Sequence, residues 1–280
     1  MRTRNDGKTL TQPTCDRNVK KNVIGVMINV IDYASATDQV ILASHQGRGF
    51  TVSALAVHGV MTGVLDRTQG YRLNHFDLLV PDGQPVRWAL NLLHHAKLSE
   101  RVYGPRLTLE ILKRAERERI PVFFYGSTQK TLSQLRQRIR TAFPEIQIVG
   151  AEPSRFGHIT PEIADAIAQT IKSSGARIVF VGLGCPRQEV WAFEFRNRLE
   201  MPIVAVGAAF PFLAGTLRQA PRWMQDSGLE WLFRLAEEPG RLWRRYLFLN
   251  PMYLALVACQ RAGLRFRPAG LPPRGEILYG

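Results

Sequence analysis

From "NVIGVMINVID" onward, short apolar runs rich in β-branched residues alternate with longer stretches whose apolar residues recur every three or four positions. No other feature of the chain limits its fold so strongly. The spacing predicts strands near Val23–Ile31, Phe50–Ala54, Leu78–Val80, Pro121–Tyr125, Ile146–Val149, Ile178–Gly182 and Ile203–Val206. Helices are predicted between them, most clearly over Leu107–Glu118, Thr128–Phe143 and Pro161–Ser173, the last with Thr160 as cap and Pro161 in the first turn. Strands that are apolar along their whole length have no water-facing side, so the sheet must be mainly parallel and covered by helices on both faces. A doubly wound α/β fold follows.

The alternation stops after about Phe212, which divides the chain into four parts: a disordered N-terminus at 1–21, the α/β domain at 22–212, a helical appendage at 213–267 and a flexible tail at 268–280. Breaks are expected in the appendage at Pro239-Gly240 and Asn250-Pro251, and Glu230 and Arg234 stand at i, i+4 spacing. Neither a secretory signal nor a run near 20 apolar residues occurs, so a cytoplasmic location is expected. Cys15, Cys185 and Cys259 are far apart and odd in number, which argues for reduced thiols. The histidines, including adjacent His94 and His95, show no metal-ligand spacing, so no metal site is expected.

Lys and Arg number 37 against 23 Asp and Glu, a net charge of +14 that calls for a polyanionic partner. No lysine follows Lys172, and between Arg218 and Arg267 the positive charge rests on arginine alone, interleaved with Trp223, Trp231, Trp243, Tyr246 and Phe248. That mixture fits a membrane-surface face and equally a solvated helix with aromatics in the core. A basic nucleic-acid-binding protein is the alternative that the same charge supports.

Two stretches could carry chemistry. In "LLVPDGQPVRW", Asp82 ends an apolar run and precedes Gly83, which suits either a Pro-Asp-Gly turn with glycine at positive φ or a functional carboxylate at a strand's mouth. In "IVFVGLGCPRQEVW", a strand, the glycine turn Gly182–Cys185 and a helix from about Pro186 would aim backbone N–H groups at a phosphate, with Gln188 and Glu189 in the first helical turn for capping or for contact with a ligand. As a dinucleotide fingerprint the loop lacks its third glycine. Thr51 and Ser53 fall on one face of a strand, where their hydroxyls could line one pocket. No D-x-D sequence is present, so a sugar-nucleotide enzyme of this kind would rely on arginines and backbone amides to carry diphosphate charge.

Thr51-Val-Ser, "VPDGQPVRWA", "ERVYG", "FVGLGCPRQEVW", "VGAAFPFLAGTLRQAPRW" and "GLEWLFRLAEEPGRLWRRY", in this order, resemble the WecG/TagA/CpsF family of bacterial glycosyltransferases. The resemblance implies an inverting, metal-independent and cofactor-free transfer of glucose, N-acetylmannosamine or its uronic acid from a UDP-sugar to an undecaprenyl-pyrophosphate-linked sugar. The reaction would occur at the anionic inner face of the plasma membrane, in surface polysaccharide synthesis, with nucleic acid excluded as a partner and a homo-oligomer left open. It further implies Asp82 as general base, Arg101 as partner of the diphosphate, Thr51 and Gln188 as pocket positions, and Arg222, Arg234, Arg241, Arg244 and Arg245 as an arginine-rich lid; together with Ser53, Gly83, Gly182, Gly184 and Glu189 from the same stretches these make up the expected substrate pocket. The chain departs from the family pattern at Ser53, where asparagine is common, at Pro105-Arg106 and at Phe210-Pro211-Phe212. A shorter side chain at 53 points to a changed donor sugar.

Overall fold

A computed structural model describes residues 19–268 and 270–280, without the side chains of Arg241 and Arg245. The strands are β1 (Lys20–Val23), β2 (Val26–Asn29), β3 (Phe50–Leu55), β4 (Leu78–Pro81), β5 (Val122–Gly126), β6 (Ile148–Glu152), β7 (Ile178–Gly182) and β8 (Pro202–Ala205). The last six form one parallel sheet in the order β4-β3-β8-β7-β5-β6, with helices on both faces.

The two faces account for the unbroken apolar runs. Ile178 and Phe180 of β7 join Phe124, Val204 and Phe210 in one core, while Val179 and Val181 join Phe123, Tyr125, Ile203 and Ala205 in the other. Every residue from Ile178 to Val181 is therefore withdrawn from water, each large side chain contributing about 1.5–3 kcal/mol. On the second face Trp191 stacks between Tyr125 and Phe195, with centroids 4.8 and 4.0 Å away. The predicted helices appear at Gly104–Arg117, Gln129–Ala142 and Pro161–Ser173. Thr128 caps the second by accepting from Thr131 N, whereas Thr160 stands at the cap position without a side-chain capping bond.

Two expectations need correction. The run Val23–Ile31 is not one strand but the second half of the antiparallel hairpin β1–β2, turned at Ile24 and Gly25, whose φ values are 45° and 92°. Two successive positive φ values match the twist of a tight hairpin, and Gly25 takes one of them without strain. Lys20 and Lys21, placed by sequence in the disordered N-terminus, pair in that hairpin with Asn29 and Ile28; residues 1–18 of that segment lie outside the described residues.

The C-terminal helices are Arg222–Asp226, Glu230–Glu237, Pro239–Arg244 and Asn250–Arg261. The break at Pro239 is present, but Asn250-Pro251 makes none. A π-helical turn at Arg245–Leu249 runs into the last helix, which carries Pro251 in its first turn. Tyr253 and Val257 from this helix are buried in the second core. The closing residues also make defined contacts: Leu278 is buried, and Glu276 pairs with Arg198 at 2.9 Å. Among the described residues no helix is long and apolar enough to cross a membrane.

Since β8 lies between β3 and β7, chain order reverses in the middle of the sheet. Carboxyl ends from both halves then surround one crevice, the usual ligand position in such sheets.

Candidate active site

A cavity of about 410 Å³ occupies that crevice. Its floor is built from strand ends and exits: Ala54–Ala56 at the end of β3, Asp82 and Gly83 after β4, Ser127 after β5, Gly182–Cys185 at the end of β7 and Val206–Ala208 after β8. Its roof comes from the C-terminal segment through Gly228, Glu230, Trp231, Arg234, Tyr246 and Asn250.

Asp82 is not a closed turn. Gly83 has φ −84°, and the Asp82 carboxylate accepts from Gly104 N at 3.2 Å, 22 residues away. Its own N–H donates to Leu55 O at 3.1 Å, so the side chain is fixed between two strand exits. Burial pushes its pKa up, the Arg101 charge opposes this and the Glu230 carboxylate adds to it, for a value of about 6. A carboxylate so poised is ionised near neutrality and holds a proton better than an ordinary aspartate, which suits a general base.

Arg101 reaches the cavity from the loop before the helix Gly104–Arg117. Its Nη2 donates to Glu230 Oε2 at 2.5 Å and to Gln225 Oε1 at 3.4 Å, and the guanidinium lies over the Tyr103 ring at 4.3 Å. Burial works against its charge, yet the Glu230 and Asp82 carboxylates outweigh burial and its pKa is raised. Tyr103 lines the same wall, and burial pushes its phenol up strongly.

At the exit of β7 the strand, glycine turn and helix stand as expected, with the helix at Arg187–Leu199. Gly184 takes φ +80°, a conformation open to glycine. Its N–H is not left free for a phosphate, because it donates to Gln188 Oε1 at 3.2 Å. Gln188 Nε2 in turn donates to Glu189 Oε1 at 2.8 Å, and Ser53 Oγ donates to the same oxygen at 2.9 Å. Burial raises the Glu189 pKa against these two bonds. Gln188 and Glu189 both line the cavity, so neither is merely a solvated cap.

Thr51 and Ser53 do not line it. Thr51, second residue of β3, donates through N and Oγ1 to Asp77 Oδ2 at 2.7 and 2.9 Å, while Ser53 is buried beneath the cavity against Glu189. The lining from β3 begins only at Ala54, beyond both hydroxyls. Of the five lid arginines, Arg234 alone among those with described side chains enters the lining; Arg222 and Arg244 are exposed, Arg244 lying 5.2 Å over Trp243. The side chains of Arg241 and Arg245 lie outside the described residues.

Arg106 stays in solvent, paired with Glu100 at 2.8 Å, whereas Pro105, Pro211 and Phe212 do face the cavity. The i, i+4 spacing of Glu230 and Arg234 is not used as a pair: Arg234 lies 3.9 Å from Glu238, and Glu230 turns to Arg101. Glu230, Tyr103 and His58 are lining residues to which sequence reading gave no role in the site. Tyr103 lies inside "ERVYG", and Glu230 lies inside "GLEWLFRLAEEPGRLWRRY", where it stood out only for its spacing to Arg234. Cys185 and Cys259 form no disulfide, and no group of three His, Cys, Asp or Glu side chains among the described residues could hold a metal ion.

A family model described as the glycosyl transferase WecG/TagA/CpsF family matches residues 21–267. The chain is 31% identical over 196 residues to an N-acetylglucosaminyldiphosphoundecaprenol N-acetyl-beta-D-mannosaminyltransferase of Bacillus spizizenii, an alignment that covers 69% of this chain and 73% of that protein.

Proposed function

The chain belongs to the WecG/TagA/CpsF family of glycosyl transferases, and from that premise we propose that it moves an N-acetylmannosamine-type sugar from UDP to an undecaprenyl-pyrophosphate-linked acceptor sugar, with inversion and without a metal. The Bacillus spizizenii relative supports N-acetylmannosamine as the first donor to test, with glucose and N-acetylmannosaminuronic acid as the others.

The observation that carries this reading is Asp82, fixed at the floor of the cavity with a pKa near 6 and with Arg101 and Arg234 in the same wall. An acceptor hydroxyl attacks the anomeric carbon while its proton passes to an Asp82 oxygen. The bond from that carbon to the diphosphate breaks on the opposite face, and UDP leaves with the bonding electrons. Negative charge grows on the diphosphate as the bond lengthens, so fixed guanidinium groups stabilise the transition state more than the ground state. A planar fork can meet two phosphate oxygens, which an ammonium group cannot.

The acceptor's lipid would lie in a bilayer, and exposed side chains on the C-terminal helices support a seat against one. Trp223, Trp243, Leu247, Phe248 and Leu254 are exposed on the C-terminal helices, beside exposed Arg222 and Arg244. Apolar side chains with arginine around them suit a peripheral seat on an anionic surface. Incubation with a panel of UDP-sugars and a synthetic N-acetylglucosaminyl-diphosphate lipid, followed by mass analysis, tests the proposal. It predicts an added N-acetylhexosamine from UDP-N-acetylmannosamine. No product from any donor under conditions where the fold is intact would overturn it.

A further inference from the structure

Arg101 carries five N–H donors, and the bonds it makes within the protein use one nitrogen, Nη2, held by Glu230 and Gln225. The donors on Nε and Nη1 make no hydrogen bond to the described protein, although the residue lines the cavity. Glu230 therefore holds Nη2, the nitrogen shared by both edges of the fork, and leaves the N–H groups of Nε and Nη1 for a ligand. Both side chains are largely withdrawn from solvent, at 11% and 14% exposure, so their contact is weakly screened and fixes orientation better than a surface pair would. The two residues are 129 positions apart, one before the helix Gly104–Arg117 and the other opening the helix Glu230–Glu237 of the roof.

We propose that Glu230 is a positioning residue of the transfer reaction: reaching down from the C-terminal helices, it holds Nη2 of Arg101 so that the N–H groups of Nε and Nη1 are turned to the cavity, and it sets the charge beside Asp82. The proposal rests on the reading of Asp82 as base and Arg101 as diphosphate partner.

Asp82 is faced by charged or titratable groups from several elements. Arg101 and Tyr103 come from the preceding loop, Glu230 and Arg234 from the roof helix, Tyr33 from the helix Tyr33–Gln46, and His58 and Glu189 from the remaining cavity wall. Glu230 raises the proton affinity of Asp82, whereas Arg101 and Arg234 lower it. Deleting the Glu230 charge therefore has a defined sign. Asp82 becomes a weaker base, its titration moves to lower pH, and Arg101 loses the contact that orients it.

The test is the pH profile of kcat/KM, with kcat and donor KM separately, for wild type, Glu230→Gln, Glu230→Asp and Asp82→Asn, each checked for an unchanged circular dichroism spectrum. In wild type the acid limb is expected near pH 6. Glu230→Gln should move that limb to lower pH and lower kcat by roughly tenfold, a size typical of losing part of one oriented donor. Glu230→Asp keeps the charge, so it should keep the limb near its wild-type position while losing part of the rate. A Glu230→Gln enzyme with unmoved limb and normal kcat would overturn the proposal. Faster turnover with tighter UDP binding would also overturn it, and would make Glu230 a plug that competes with the diphosphate. Asp82→Asn separates the two layers: near-normal turnover there removes the base and this proposal with it, whereas a large loss beside an unmoved Glu230→Gln profile removes Glu230 alone.

Discussion

A carboxylate at the end of a buried strand has two simple uses, to close a turn or to face a ligand, and backbone geometry separates them. At Asp82 the glycine that follows does not take positive φ, and the carboxylate spans to Gly104 rather than to its own turn. Replacing Asp82 by asparagine keeps shape and removes basicity, so turnover should fall at least about 10²-fold, measured on purified protein at pH 8. Burial of an ionised group opposes folding. With its pKa raised to about 6, Asp82 stabilises the fold less as pH climbs from the ordinary carboxylate range through 6, and Asp82→Asn should melt no lower than wild type at pH 8. Arg101→Lys should lower the rate by roughly tenfold or more despite conserved charge, because one ammonium cannot hold Glu230 and a diphosphate in fixed directions. Wild-type rates in that variant would reduce Arg101 to a structural contact. At this scale Asp82, Gln188 and Glu189 were legible because each sits in a stretch where strand, turn and helix meet, whereas Arg101, in a loop between two helices, came from the resemblance of "ERVYG" alone. Thr51 and Ser53 misled because residue type does not reveal where along a strand the mouth begins. The spacing of Glu230 pointed to Arg234, and its pairing with Arg101 was hidden because that partner lies 129 residues away.

Elements bring these residues together at a few close approaches. Gly126 ends β5 with φ +107°, and a Cβ there would stand 2.9 Å from the Gly182 carbonyl carbon at the end of β7. Gly126→Ala should therefore cost about 1–3 kcal/mol, read as a lower melting midpoint. The strand order was not visible in sequence: the pattern shows which runs are buried on both faces, but β8 slipping between β3 and β7 depends on packing across the whole sheet. The hairpin β1–β2 was misread for a local reason, since apolar residues continue on both sides of Gly25 and hide the turn. In the roof, Trp243, Leu247 and Phe248 are exposed and outside the cavity lining. If they meet a bilayer, changing all three to serine should weaken flotation with anionic vesicles while leaving activity on a short, water-soluble acceptor near normal. Unchanged flotation would make them ordinary surface residues.

Taken whole, the molecule joins a sheet that supplies Asp82 to a helical roof that supplies Glu230, Arg234 and an apolar outer face. Under the proposed function the net charge of +14 has a chemical address, since a diphosphate donor, a pyrophosphate acceptor and an anionic lipid surface would all be negative. Sequence composition made that sign plain without choosing among anions; an aspartate and arginines meeting in one crevice are what favour the proposed donor and acceptor. The central claim is that Asp82 takes the acceptor proton in a sugar transfer. The pH dependence of kcat/KM, followed with UDP-N-acetylmannosamine and a soluble lipid-diphosphate acceptor in wild type and Asp82→Asn, tests it most directly. Activity in wild type should rise through about pH 6 and level off, and the asparagine variant should be at least about 10²-fold slower with that rise gone. An Asp82→Asn enzyme that kept both the rate and the rise would contradict the account.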